Sequence, residues 1–194
     1  MKYLQLTSTI ILFVSLSVNA LVSKAGDQSE DDRELSSGAG KVLIVRHALA
    51  PGTGDPGNFK IDDCSTQRNL DARGREQAIE MGNWLRSQGV DRARVYSSQW
   101  CRCKDTAELL KLGPVKELPA LNSFFQRWED KDSNMQSLRS FLSGLPVDKT
   151  LTILVSHQVT ISALTGVYPR SGTCVMLILD GEGGFDIGHT LQFE

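Results

Sequence analysis

The sequence is poor in histidine, with three in 194 residues, and it has no dense stretch of lysine and arginine. Its 21 basic residues face 23 acidic ones, for a net charge of -2. That balance lacks the basic footprint of a nucleic-acid or anionic-membrane binder. No apolar run reaches the roughly 20 residues of a membrane span. The strongest run, from Ile10 to Val14 and on through Leu16 and Val18, falls short, and no cysteine follows it to carry a lipoprotein anchor. Cys101 and Cys103 stand one residue apart, without a second Cys or His pair at zinc-site spacing, so no metal is expected there. No internal repeat is present, which excludes a solenoid or propeller.

What is present divides into a leader, a polar segment and a domain. Lys2, the apolar run and the small-residue stretch Val18-Asn19-Ala20 have the order of a secretory signal, which predicts a leader over 1–20. Residues 21–40 are acidic and then rich in Ser and Gly, the composition of a flexible linker. A single domain is expected over 41–194. All four cysteines, Cys64, Cys101, Cys103 and Cys174, fall inside it. Export would place them where disulfides persist, in the periplasm or outside the cell.

The domain alternates strands and helices. Lys41 to Val45 is nearly all apolar and β-branched, as in a strand buried on both faces. A long Gly/Pro loop follows, and then Asp71 can cap a helix carrying Ala78, Met81, Gly82 and Leu85. Strands are predicted at Arg94 to Ser97, Val115 to Leu118, Thr150 to Val155, Cys174 to Leu179 and Phe185 to Phe193. Helices are predicted at Cys101 to Leu110, at Asn134 to Leu142, and through Ile161 and Leu164 to Gly166. This alternation predicts an α/β domain, a three-layer αβα sandwich around a mainly parallel sheet. Such sheets bind ligands beyond the carboxyl ends of their strands.

The residues at those ends are chemically suggestive. The first strand ends in Arg46-His47, the second in Ser97-Ser98 with Arg102 close behind, and the Thr150 strand in Ser156-His157. Each has an ordinary explanation alone. Together they bring two imidazoles and two guanidiniums to one rim. Phosphoryl transfer needs such a set, because the moving group spreads negative charge over three oxygens that arginine forks can hold. A neutral imidazole can attack phosphorus, and neighbouring cations favour the neutral form. A backbone carbonyl accepting from its other nitrogen would fix the tautomer.

Four segments then resemble the histidine phosphatase superfamily, which includes phosphoglycerate mutases and small phosphatases: LIVRHALAP, NLDARGREQA, YSSQWCRCKDTAELL and LVSHQVTISALTG. They stand in the family's order. The resemblance implies that His47 becomes phosphohistidine, that Arg46 and Arg102 bind the phosphoryl oxygens, that His157 completes the pocket, and that no metal or organic cofactor takes part. Ala48 replaces the family's usual Gly after the nucleophile, a methyl that ordinary backbone angles tolerate and that resembles exported members such as lipopolysaccharide-core heptose phosphate phosphatases. The general acid is unassigned. Leu121 to Phe125, where many members carry a Glu, has no carboxylate, and Glu129, Asp130 and Asp105 are the nearby candidates. Arg68 is a candidate reader of a second anionic group. Trp100, Phe124, Phe125 and Trp128 are expected in the core rather than on a pocket wall, and His189 away from the rim. If the fold is right, Cys64 and the Cys101–Cys103 turn border one rim. Cys64 is then expected to bridge Cys101 or Cys103, with Cys174 as a partner for the remaining one or a buried thiol.

The expected function is an exported phosphomonoesterase working through a phosphohistidine on His47. Its partner would be a phosphorylated small molecule or an envelope glycolipid, with no nucleic acid and no membrane span after leader cleavage. The sequence assigns no oligomeric state. A non-catalytic phosphate-binding module and a phosphohistidine-protein phosphatase remain as alternatives. A thiol–disulfide protein built on Cys101 and Cys103 fits worse, since their spacing is not the two-residue gap of such motifs.

Overall fold

The computed structural model describes residue 35 and residues 39–194. The predicted leader and nearly all of the predicted linker lie outside the described residues. Ten regular elements follow: β1 (Lys41–Arg46), α1 (Ala72–Ser87), β2 (Arg94–Ser97), α2 (Cys101–Leu109), β3 (Val115–Glu117), α3 (Lys131–Ser143), β4 (Thr152–Ser156), α4 (Gln158–Thr165), β5 (Thr173–Leu179) and β6 (Phe185–Gln192). Short 3₁₀ turns at Cys64–Thr66, Pro119–Leu121 and Trp128–Asp130 punctuate the loops.

The six strands form one sheet in the order β3-β2-β4-β1-β5-β6. The first four are mutually parallel, and β5 and β6 complete the edge antiparallel to their neighbours. Alternating side chains of β1 feed two separate cores. Leu43 and Val45 join Met81 and Leu85 of α1 and Ala107 of α2 on one face. Val42 and Ile44 join Leu138 and Leu142 of α3 and Ile161 and Leu164 of α4 on the other. That period of two, with helices on both faces, makes the predicted three-layer sandwich. Leu35 is buried in the first of these cores.

The chain runs outward from β1 through β2 to β3 and returns to place β4 between β1 and β2. A crevice opens where the order reverses, beyond the carboxyl ends of β1 and β4. Two glycines let α1 pack closely, one against the loop after β1 and one against the carboxyl end of α2. A Cβ on Gly74 would stand 2.0 Å from the Leu49 carbonyl oxygen, and one on Gly82 would stand 2.4 Å from that of Leu110. Asp71 caps α1 as predicted, accepting from the Gly74 amide. Gln77 then holds the loop after β1, accepting from the Leu49 amide at 2.9 Å. The predicted boundaries shift by a few residues: α3 starts at Lys131 rather than Asn134, and β4 at Thr152 rather than Thr150.

Candidate active site

β1 and β4 pair in parallel with Arg46 opposite Ser156, and the ladder runs one step further where the His47 amide donates to the Ser156 carbonyl at 2.9 Å. His47 and His157 therefore leave neighbouring strands side by side. Their rings meet edge to face with centroids 5.5 Å apart, and both residues are buried. The β2 end brings Ser98 alongside, and α2 opposite carries Arg102.

His47 has its tautomer fixed. Its Nδ1 lies 2.7 Å from the Ala48 carbonyl oxygen, which can only accept, so Nδ1 carries the proton. The lone pair is left on Nε2. Burial, and then the charge of Arg102, hold the His47 pKa well below its ordinary value. His157 is shifted the same way for the same leading causes. Both rings are thus neutral near pH 7. The Ala48 methyl is accommodated: the only non-glycine with left-handed backbone among the described residues is Lys111, and Ala48 is buried with its amide donating to Thr106 Oγ1 at 3.0 Å.

His157 is held from both sides. Arg102 Nη2 approaches its Nδ1 at 3.5 Å, and its Nε2 lies 2.9 Å from Ser98 Oγ. A guanidinium can only donate, so Nε2 carries the proton and donates to Ser98. The Ser98 hydroxyl passes the chain on to Asn122 Oδ1 at 3.1 Å. The Cys103 thiol lies 3.4 Å from the same His157 nitrogen, and burial pushes its pKa up to about 12, so it stays protonated.

The two arginines each keep a donor without a partner: Nε of Arg46 and Nε of Arg102 are buried and make no hydrogen bond. Arg46 Nη1 donates to the Pro169 carbonyl at 2.9 Å. Arg102 is anchored by Asp55, which accepts from Nη1 at 2.7 Å and from Nη2 at 3.2 Å. Asp55 also accepts from Trp100 Nε1 and from the Arg68 amide. Burial alone would raise the Asp55 pKa, but the Arg102 hydrogen bonds and charge outweigh it and hold the carboxyl below its usual range.

The predicted residues Arg46, His47, Arg68, Arg102 and His157 line one cavity of about 570 Å³. Arg68 is tied to the loop, with Nε donating to the Gly54 carbonyl at 2.8 Å and Nη1 donating to that of Ala50. The carboxylate candidates separate. Asp105 faces Arg75 at 2.8 Å, and Glu129 is exposed beside Arg127; neither lines the cavity. Asp130 does line it, with both oxygens engaged by Arg127. The aromatic expectation needs correction. Phe124 is fully buried in the core, but Trp100 and Phe125 line the cavity and Trp128 is exposed. All four sit on loops, in a short turn or at a helix start; Phe124 alone is turned under the sheet into the core with Leu121 and Leu138, and nothing in the loop sequence distinguishes it from Phe125.

Cys64 and Cys101 form a disulfide, joining the loop before α1 to the turn that bears Arg102. Cys103 and Cys174 are buried thiols, the latter against Met81. His189 is half-buried on β6 and does not line the cavity. Sequence reasoning missed Asp55. The available signal was its position, the first carboxylate in the Gly/Pro loop that leaves the β1 end, on the rim that carries the arginines.

The profile of the histidine phosphatase superfamily (branch 1) matches residues 42–143, just over half of the chain. The chain belongs to the histidine phosphatase superfamily. The match includes Arg46, His47 and Arg102, and ends before His157. The same fold recurs in the protein histidine phosphatase SixA complexed with tungstate. That structure is 20% identical, with a TM-score of 0.58, and the alignment covers 78% of this chain and 96% of that one. A phosphoglycerate mutase from Thermus thermophilus is 16% identical at a TM-score of 0.54, with 79% and 99% covered. A mycobacterial glucosyl-3-phosphoglycerate phosphatase is 15% identical at 0.54, with 71% and 92% covered. At these identities the likeness is one of fold. Among curated proteins no sequence matches the chain. No helix of the described residues is long and apolar enough to cross a membrane, and these residues contain no cluster of three or more metal-ligating side chains.

Proposed function

We propose that this superfamily member is an exported phosphatase that hydrolyses phosphomonoesters through a phosphohistidine on His47. The observation that carries the reading is the commitment of His47 Nδ1 to the Ala48 carbonyl, which leaves a neutral, nucleophilic Nε2 in a cavity lined also by two arginines whose Nε donors have no partner. Those donors suit the equatorial oxygens of a transferring phosphoryl group, where preorganised charge acts most strongly. His47 Nε2 forms the bond to phosphorus as the ester oxygen leaves. Water then displaces the imidazole and releases phosphate. His157, accepting from Arg102 and donating to Ser98, completes the cradle.

Asp55 cancels the charge of Arg102, so the uncancelled cations are Arg46 and Arg68. Two positive charges match one phosphoryl dianion, and Arg68 accordingly serves the phosphoryl group itself rather than a second anion. Export is supported by the leader-like sequence together with a disulfide, a bond that persists outside reducing compartments. A domain over 41–194 that acts after leader cleavage, with a phosphorylated small molecule or envelope glycolipid as substrate, fits this reading.

The test is a phosphoenzyme trap. Incubation with a labelled aryl phosphate and an alkaline quench should leave acid-labile phosphate on His47. The His47→Asn protein should fold, bind orthophosphate and show neither label nor turnover. Turnover in that variant within tenfold of wild type would overturn the assignment.

A further inference from the structure

Beyond the phosphoryl cradle, the cavity has an outer half whose character is different. Phe59 and Trp100 stack with centroids 5.1 Å apart and planes 20° apart, forming one continuous aromatic surface. Trp100 also meets His157 edge to face at 5.2 Å, so that surface begins beside the phosphoryl site. Phe125 lines the same cavity from the loop after β3, and is 45% exposed. Ile61 and Val159 add apolar surface. A phenylalanine left nearly half open inside a concave site has apolar surface still to bury. Its burial becomes favourable only when something covers it.

The charges say what kind of group that is. Arg102 is paired with Asp55 and Arg127 with Asp130, and in the proposed reaction Arg46 and Arg68 are taken up by the phosphoryl dianion, so no cation is left over beside the aromatic wall to hold a second anion. The stack is held rigidly. Trp100 Nε1 donates to Asp55 at 2.9 Å, and Gln126 Nε2 reaches the Asp55 carbonyl at 3.5 Å, joining the two loops that flank the mouth.

We propose that this outer wall is a leaving-group subsite for an uncharged ring, seated against the Phe59–Trp100 surface and covered by Phe125. The proposal rests on the reading of His47 as phosphoryl acceptor. In the reaction, the bond from phosphorus to the ring oxygen breaks as the His47 Nε2 to phosphorus bond forms. The ring oxygen keeps the electron pair and takes its proton from water. An aromatic ring and a saturated sugar-like ring present the same apolar face to such a surface.

Binding of non-hydrolysable phosphonates to the whole domain separates this proposal from the catalytic reading. Calorimetry would compare methyl-, phenyl- and cyclohexylphosphonate, with phosphonoacetate as the charged control. At least one ring compound should bind about tenfold more tightly than methylphosphonate, the scale of one well-buried aromatic contact. A preference for phenyl identifies an aryl leaving group, and a preference for cyclohexyl a saturated ring. Phe125→Ala should shrink the ring-to-methyl ratio below about threefold, and Phe125→Trp should restore it. Equal affinity for all three in the wild type overturns the proposal. So does a Phe125→Ala protein that loses methylphosphonate by the same factor as the ring compound, or phosphonoacetate binding more tightly than either ring. If ring selectivity stands while His47 takes no label, the subsite survives and the phosphatase reading fails.

Discussion

The floor and the mouth of the cavity are built by opposite means. The floor consists of strand ends: His47, Ser98 and His157 leave β1, β2 and β4, are all buried, and are fixed by hydrogen bonds to their own or a neighbouring strand. The mouth consists of the loop from Gly52 to Phe59 and the segment from Asn122 to Arg127, where side chains such as Phe125 and Arg127 are open to water. Reactive groups gain from a rigid sheet, since the charge donors then need no reorganisation when the phosphoryl group arrives. Groups that select among leaving groups need variety and access, which loops supply. On this division, damage to the floor should cost rate and damage to the mouth should cost selectivity.

The largest expected effects follow from breaking the floor or the guanidinium that α2 holds against it. Arg102→Ala and His157→Ala should each lower kcat/KM by about two or more orders of magnitude, the scale of losing one preorganised donor. The same loss should appear on an aryl phosphate and on a ringless acyl phosphate, because both present the same phosphoryl group. A loss confined to ring-bearing substrates would move these residues from the floor to the mouth.

Next comes the staple between the two regions. The Cys64–Cys101 bond closes 37 residues of chain and ends one position before Arg102. Cys64→Ser with Cys101→Ser should lower unfolding stability by about 2–4 kcal/mol, chiefly by freeing the unfolded chain. Urea denaturation of the double variant measures it. A change under about 0.5 kcal/mol would mean that the unfolded chain without the bond already keeps the two segments close; in the folded protein Gln67 also links them, accepting from the Cys101 amide at 2.9 Å and donating to the carbonyls of Lys60 and Ile61.

What the sequence made legible tracks the same division. Periodicity and strand ends located Arg46, His47, Arg102 and His157 on one rim, because a buried parallel strand has a strong local signature and its end is a fixed place. Cys64 could be set beside Cys101 for the same reason, although Cys101 and Cys103 could not be told apart until α2 turned one toward the loop and the other into the core. Asp55 escaped notice. Its role depends on a Gly/Pro loop folding back over Arg102, and nothing in the local sequence encodes that path. Trp100 and Phe125 were read as core for a related reason: an aromatic residue in a loop carries no periodicity to say which way it faces.

Asp55 joins mouth to floor, and its neutralisation should have an intermediate effect. Asp55→Asn keeps the shape, but it cannot accept on both oxygens from Arg102, Trp100 and the Arg68 amide, and it removes the charge that cancels Arg102. We expect kcat/KM to fall about tenfold, with most of the change in kcat, as a guanidinium loses its fixed orientation. Binding of methylphosphonate should hold or tighten, because one more positive charge then faces the dianion. Loss of phosphonate binding in step with kcat would show that Asp55 merely holds the loop in place.

The smallest expected effect separates floor from mouth through pH. His47 and His157 are both held neutral in the folded protein by burial and by Arg102, so their folded pKa values lie well below the ordinary value near 6.5. As pH falls through that ordinary value, the unfolded chain takes up protons that the folded protein refuses. Stability is therefore full above about pH 7 and declines below about 6.5, by about 1.4 kcal/mol per pH unit for each such histidine. Asp55 acts in a different window. Its depressed folded pKa gives stability that is present above the ordinary carboxylate range near 3.9 and is lost as pH falls through the folded value. Between pH 6 and 5 the slope should come from the histidines. Urea midpoints at pH 7, 6 and 5 should show the wild type losing roughly twice as much stability across that interval as His157→Asn, which keeps one buried imidazole. Phe125→Ala, altered only at the mouth, should keep the wild-type slope. Equal slopes for wild type and His157→Asn would mean that the floor admits protons as freely as the mouth.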